Sequence, residues 1–144
     1  MLTIETELDI QLWKLDDKDF EKFLNYQKQH RINDNEIENL ASQCILDELD
    51  GKVYNSPLGM QISQNISKNL CQELAQKSPS YKIIIQTFVG KLSDEKNIQV
   101  HVSYRFDQRT DKCFIITKHN GQIYCSCIIL LLFYYQSDHQ RMKS

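Results

Sequence analysis

The side chains able to do chemistry cluster at one place. Cys125 and Cys127 open the run CSCIILLLFYY, Cys125 to Tyr135, which carries no charge in eleven residues. On a strand, two such cysteines share a face with their sulfurs roughly 7 Å apart along the chain. A zinc site needs two further ligands, which zinc motifs usually supply as a second Cys or His pair at short spacing. No such pair follows: Cys44 and Cys71 fall on helix faces, Cys113 stands alone, and His101, His119 and His139 are scattered. A thiol nucleophile with His101 as its base needs an exposed thiol of low pKa, whereas these cysteines lie within apolar runs. Small buried hydrophobes are the favoured reading, free Cys being among the most buried residue types. A redox or metal protein built on Cys125, Cys127 and His101 is the alternative. Asp107 and Asp111 form a close acidic pair, read as turn residues whose side chains bond their own backbone. There is no G-x-S-x-G or H-E-x-x-H, and Gly51, Gly59, Gly90 and Gly121 cannot build a phosphate loop. The expectation is a non-enzyme without cofactor or metal.

The 144 residues suffice for one domain with a core and an appendage. A formal charge of -2, with acidic and basic residues interspersed, gives no basic patch for nucleic acid. The apolar run stops well short of the roughly 20 residues that span a bilayer, and MLTIETELDIQLW lacks the basic and apolar regions of a secretory signal. No nucleic acid, no membrane and a cytosolic location with five reduced thiols are the expectations.

The elements around the cysteines follow from pattern. In HNGQ, Asn120-Gly121 signals a hairpin with a type I′ turn. CFIITK, Cys113 to Lys118, precedes the turn and the apolar run follows it. IQVHVSYRF alternates throughout, with Ile98, Val100, Val102, Tyr104 and Phe106 on one face and Gln99, His101, Ser103 and Arg105 on the other. YKIIIQTFVGK, Tyr81 to Lys91, is β-branched and aromatic without clean alternation, which predicts burial on both faces. Two helices come before the strands. The first carries Ile37, Leu40, Ala41, Cys44, Ile45 and Leu49, with Asn33 as N-cap and Glu36 completing a loose capping box. The second begins with Ser56 as cap and Pro57 at the first helical position, carries Ile62, Ile66, Leu70 and Leu74, and ends near Lys77.

Two helices followed by four strands predict an α+β domain, with the helices covering one face of a four-stranded antiparallel sheet. The last strand is apolar on both sides: Ile123, Cys125, Cys127, Ile129, Leu131 and Phe133 alternate with Tyr124, Ser126, Ile128, Leu130, Leu132 and Tyr134. One helix layer buries one side only. Leaving Ile128, Leu130 and Leu132 in water forfeits roughly 1.5 to 3 kcal/mol each, so a second protein surface is expected there.

SPLGMQISQNISKNL, YKIIIQTFVGK, YRFDQRTDK and HNGQIYCSCIILLLFYY, in this order and spacing, resemble successive segments of a Tctex-type dynein light chain, over about residues 33–135. The resemblance implies a dimer in which two four-stranded sheets pack face to face with helices outside, and the second strand of each chain crosses over to complete its partner's sheet. The crossing strand is then Ile98 to Phe106. The loop GKLSDEKN, Gly90 to Asn97, is long enough for crossing or for a plain hairpin, and its length alone leaves both open. A crossed strand ends at a sheet edge, where a disordered segment of the dynein intermediate chain adds by β-augmentation, in pairs. On that reading Gln99, His101, Ser103 and Arg105 flank the peptide, while Ile98, Val100, Val102, Tyr104, Phe106, Ile128, Leu130 and Leu132 form the dimer interface. A solvated edge guarded by polar side chains is the plainer alternative.

Phe106 stands where the family commonly has tryptophan, and the bulky IILLLFYY ending resembles the axonemal, ciliary outer-arm branch. The resemblance therefore implies a non-catalytic light chain in the cytoplasm and cytoskeleton, at the cilium axoneme, paired with a second Tctex-type chain, a heterodimer being favoured over a homodimer. A dimeric adaptor of the same fold outside a motor is the alternative. Residues 1–32 form an arm in which Leu8, Ile10 and Leu12 alternate and Phe20, Phe23 and Leu24 mark a short amphipathic helix capped by Asp16 or Asp17. The arm either docks on a neighbour, with Trp13 as an anchor, or is partly disordered. Residues 136–144 read as a frayed polar tail.

Overall fold

The computed structural model describes residues 2–7, 18, 21–22, 33–79, 81–97, 99–105 and 110–133. Its elements are strand β1 (Leu2–Glu7), helix α1 (Asp34–Leu49), helix α2 (Ser56–Lys77), strand β2 (Tyr81–Lys91), a 3-10 helix (Leu92–Asn97), and strands β3 (Val100–Arg105), β4 (Lys112–His119) and β5 (Ile123–Phe133).

Capping residues set where both helices begin. The Asn33 side chain accepts a hydrogen bond from the Glu36 N–H at 2.8 Å, and its Nδ2 donates to the Glu36 carboxylate at 3.2 Å, a side-chain version of the capping box. In α2 the cap is one residue earlier than expected. Asn55, in extended conformation, accepts from the Leu58 N–H at 2.9 Å, so Ser56 and Pro57 are already helical. Gly59 lies in the first turns of α2 because a Cβ there would come within 2.8 Å of the Tyr54 ring. The stripes Ile37-Ala41-Ile45-Leu49 and Ile62-Ile66-Leu70-Leu74 are buried at i, i+4 spacing and face the sheet.

The sheet that they cover has three strands in the order β2-β5-β4, all antiparallel. Within the one chain the sheet has three of the four expected strands. β3 is absent from it and pairs instead, in parallel, with the N-terminal β1 from Leu2↔Val100 to Glu7↔Arg105. Between β2 and β3 stands the 3-10 helix Leu92–Asn97 in place of a tight hairpin turn, and the Leu92 N–H donates to the Gln122 carbonyl at 3.0 Å.

The β4–β5 hairpin forms where expected but with a different turn. Gly121 has φ +90 and no non-glycine residue among those described has positive φ, so Asn120 is not in the left-handed region that a type I′ turn requires. Gly121 and Gln122 are the central pair, closed by the Asn120 N–H donating to the Ile123 carbonyl at 3.1 Å, and Gly121 takes the positive φ. Asn120 serves another purpose. Its Oδ1 accepts from the N–H groups of Gln122 at 2.9 Å and Ile123 at 2.8 Å, while its Nδ2 donates to the carbonyls of Leu49 and, at 2.9 Å, Lys52. The hairpin is thereby tied to the end of α1, where carbonyls lack helical partners.

Asp111 makes a long-range bond that its turn position does not announce. It is 7% exposed, and one carboxylate oxygen accepts from the Phe133 N–H at 2.8 Å and the Thr110 hydroxyl at 3.1 Å. It clamps the end of β5. Asp107 lies outside the described residues, as do Leu8, Ile10, Leu12, Trp13, Asp16, Asp17, Phe20, Phe23, Leu24 and the tail 136–144. Lys18, Glu21 and Lys22 are helical and exposed.

Candidate functional site

β5 lies between β2 and β4, so its side chains define both faces of the sheet. Ile123, Cys125, Cys127, Ile129 and Leu131 point to the helices and belong to the core, with Phe133 packed against it. Tyr81 closes that end, its ring meeting Phe133 edge-on at 5.7 Å between centroids. A polar thread crosses the same layer: Ser67 and Thr87 hydroxyls are 2.7 Å apart, and Thr87 lies 3.8 Å from the Cys127 sulfur.

The cysteines are part of this core. Cys125 and Cys127 are fully buried, and desolvation pushes their thiols up to about 12 and about 11. Burial and the nearby Glu48, Glu73 and Asp47 carboxylates raise Cys44 to about 11. Such thiols stay protonated at neutral pH, the opposite of what nucleophilic or redox chemistry needs. Among the described residues no three Cys, His, Asp or Glu side chains come together as a metal site, and no helix is long and apolar enough to cross a membrane.

The opposite face of the sheet has no layer over it among the described elements. The ladders place Lys82, Ile84, Gln86 and Phe88 of β2 and Cys113, Ile115 and Thr117 of β4 on either side of Leu132, Leu130, Ile128 and Ser126 of β5. Ile84 is 50% exposed and Ile115 42%, while Leu130, Leu132 and Phe88 are partly exposed. Ile128, between Gln86 and Ile115 in the register, is buried. Thr117 and Ser126 pair across strands at 2.8 Å between hydroxyl oxygens. At one end, Tyr124 covers Gly90: a Cβ on Gly90 would lie 2.9 Å from the ring. Three outward residues named from sequence, Ile128, Leu130 and Leu132, thus gain Ile84, Phe88 and Ile115 as neighbours. Periodicity could not find those three, because YKIIIQTFVGK and CFIITK do not alternate cleanly; only the strand register assigns them to this face.

The edge-strand residues lie elsewhere. Gln99, His101 and Ser103 are exposed and Val102 is partly buried, in keeping with one wet face. Val100, Tyr104 and Arg105 are placed in β3 by its backbone; Ile98 and Phe106 lie outside the described residues. Within the chain β3 shares no ladder with the open sheet, so the structure does not bring Val100, Val102 and Tyr104 onto the same face as Leu130 and Leu132.

This arrangement, two helices on one face of an antiparallel sheet with a strand left outside it, accompanies a family match over most of the chain. The family model described as the Tctex-1 family matches residues 31–132. Comparison with curated proteins gave no match. The chain belongs to the Tctex-1 family, the family of Tctex-type dynein light chains.

Proposed function

We propose that this protein is a non-catalytic light chain of a dynein motor complex, which dimerises with a second Tctex-type chain and binds dynein intermediate chain segments by β-strand addition. Residues 33–135 are its light chain domain, 1–32 an accessory arm and 136–144 a tail. One observation carries the reading. The chain leaves a strand, β3, outside its own sheet while that sheet keeps an apolar face open at Ile84, Ile115, Leu130 and Leu132. A second chain answers both needs: its sheet covers the open face, and exchange of β3 between chains adds a fourth strand to each. In that dimer Ile98, Val100, Val102, Tyr104, Phe106, Ile128, Leu130 and Leu132 lie at the interface.

An exchanged β3 keeps one row of backbone groups for an extended peptide, with Gln99, His101, Ser103 and Arg105 beside it. Two such edges hold two intermediate chains together and gain strength through effective concentration. The role is assembly of the motor, in the cytoplasm and cytoskeleton, and the bulky C-terminal strand favours a ciliary axoneme and a heterodimer. The test is native purification of the tagged chain from ciliated cells, with mass spectrometry of what accompanies it. The expected companions are a dynein intermediate chain and a second Tctex-type chain. Recovery of folded protein with neither refutes the proposal.

A further inference from the structure

We infer that β1 is a built-in occupant of the peptide-binding edge of β3, a latch that an incoming segment must displace. The inference rests on the proposed dimer and concerns how its peptide edge is controlled. A strand has two edges, and the proposed function uses both edges of β3: one against the partner's sheet, one for the guest peptide. β1 already pairs along one of them for the whole length of β3. Sheet, guest and β1 cannot all be held at once, so β1 and the guest compete.

The register states the chemistry of the competitor. Leu2 and Ile4 lie opposite Val100 and Val102, and Thr3, Glu5 and Glu7 lie opposite His101, Ser103 and Arg105. By register, apolar positions are matched to apolar positions, and the acidic position 7 to the basic position 105. A guest that takes this place is therefore an extended segment in which apolar and acidic or hydroxyl residues alternate. The latch is also suited to release, because a short two-stranded ladder on its own is marginally stable in water; β1 and β3 form such a sheet, apart from the β2-β5-β4 sheet.

The experiment uses the full-length chain in its dimeric form and a labelled synthetic peptide of residues 1–12, MLTIETELDIQL, as the probe. Thr3→Pro/Ile4→Pro removes two successive N–H groups, one of which must face β3. Glu5→Lys/Glu7→Lys keeps the backbone donors and inverts the charge. An arm docked nine-tenths of the time weakens a competitor roughly tenfold, so the proline variant should bind the probe about tenfold tighter than the unaltered chain, with the lysine variant between them. Equal affinity for all three, or no binding by the proline variant with its circular dichroism unchanged, overturns the latch. Capture of the intermediate chain is measured in parallel. Equal capture with and without the proline changes overturns the latch and leaves the proposed function standing; failure of both forms sinks the two together.

Discussion

Replacing Asn120 with alanine tests whether the hairpin is held to the helices by one side chain. The substitution deletes four hydrogen bonds: two that shape the turn, to Gln122 and Ile123, and two that reach the carbonyls of Leu49 and Lys52. Water replaces the bond to the Gln122 N–H readily, since Gln122 is exposed, whereas Ile123 is fully buried and its N–H is costlier to leave without an acceptor. The Leu49 carbonyl keeps the Lys52 N–H, which donates to it at 3.1 Å, so its share of the loss is the net value of one bond. At about 0.5 to 1.5 kcal/mol per hydrogen bond, with more for a buried group left unpaired, the loss is about 2 to 4 kcal/mol. A domain of this size then melts roughly 10 °C lower, read by thermal circular dichroism or calorimetry. Asn120→Asp separates the two roles. It keeps both acceptor bonds in the turn but sets a carboxylate against two carbonyl oxygens, so at pH 7 it costs at least as much as alanine. Those oxygens raise the folded-state pKa of the new carboxyl. The penalty relative to wild type is therefore full above that pKa and shrinks as pH falls through it, when the protonated group donates again. Melting of Asn120→Ala within about 2 °C of wild type, or an aspartate variant as stable as wild type at pH 7, refutes the strap.

Three further outcomes follow from the geometry. Gly90→Ala presses a methyl to 2.9 Å from the ring of Tyr124, which is only 4% exposed and cannot swing away freely; chemical denaturation should show a loss of about 1 to 3 kcal/mol. In native protein at pH 8, a thiol reagent should modify Cys71 and Cys113 well before Cys44, Cys125 and Cys127, whose thiols are pushed up to about 11, about 12 and about 11; rapid reaction of Cys125 contradicts its burial. Because Cys125 and Cys127 hold their protons more tightly folded than unfolded, their contribution to stability is full below pH 9, the ordinary thiol value, and is lost as pH rises through their folded values. Leu130→Asp should leave the melting of the isolated chain little changed, since that side chain is partly exposed, yet separate the dimer by about 3 kcal/mol or more through an unpaired buried charge; sedimentation showing an unaltered dimer counts against the face-to-face packing.

Much of the fold is legible in the residues because its determinants are local. The stripes Ile37-Ala41-Ile45-Leu49 and Ile62-Ile66-Leu70-Leu74, the cap at Asn33 and strands β2, β4 and β5 announce themselves within a dozen positions. What escapes a reading of pattern is non-local. LTIETE alternates, but nothing in it names a partner almost a hundred residues away, and β3 joins β1 where chain order suggested β2 or β4. Asp111 looks like a turn residue until Phe133 is placed beside it. Asn120-Gly121 signals the hairpin, but the long-range bonds that the Asn120 side chain makes to Leu49 and Lys52 are not written in that dipeptide. Alternation put Ile128, Leu130 and Leu132 on the outer face; of these Leu130 and Leu132 are partly exposed, while Ile128 is buried within the chain. The extent of that face over Ile84 and Ile115 required the register.

A second chain covering the open face of the β2-β5-β4 sheet is measured most directly by sedimentation equilibrium of protein purified natively, across a dilution series into the low micromolar range. The expected result is a mass equal to two Tctex-type chains that persists on dilution. A compact, monodisperse species of 17.0 kDa at every concentration contradicts it.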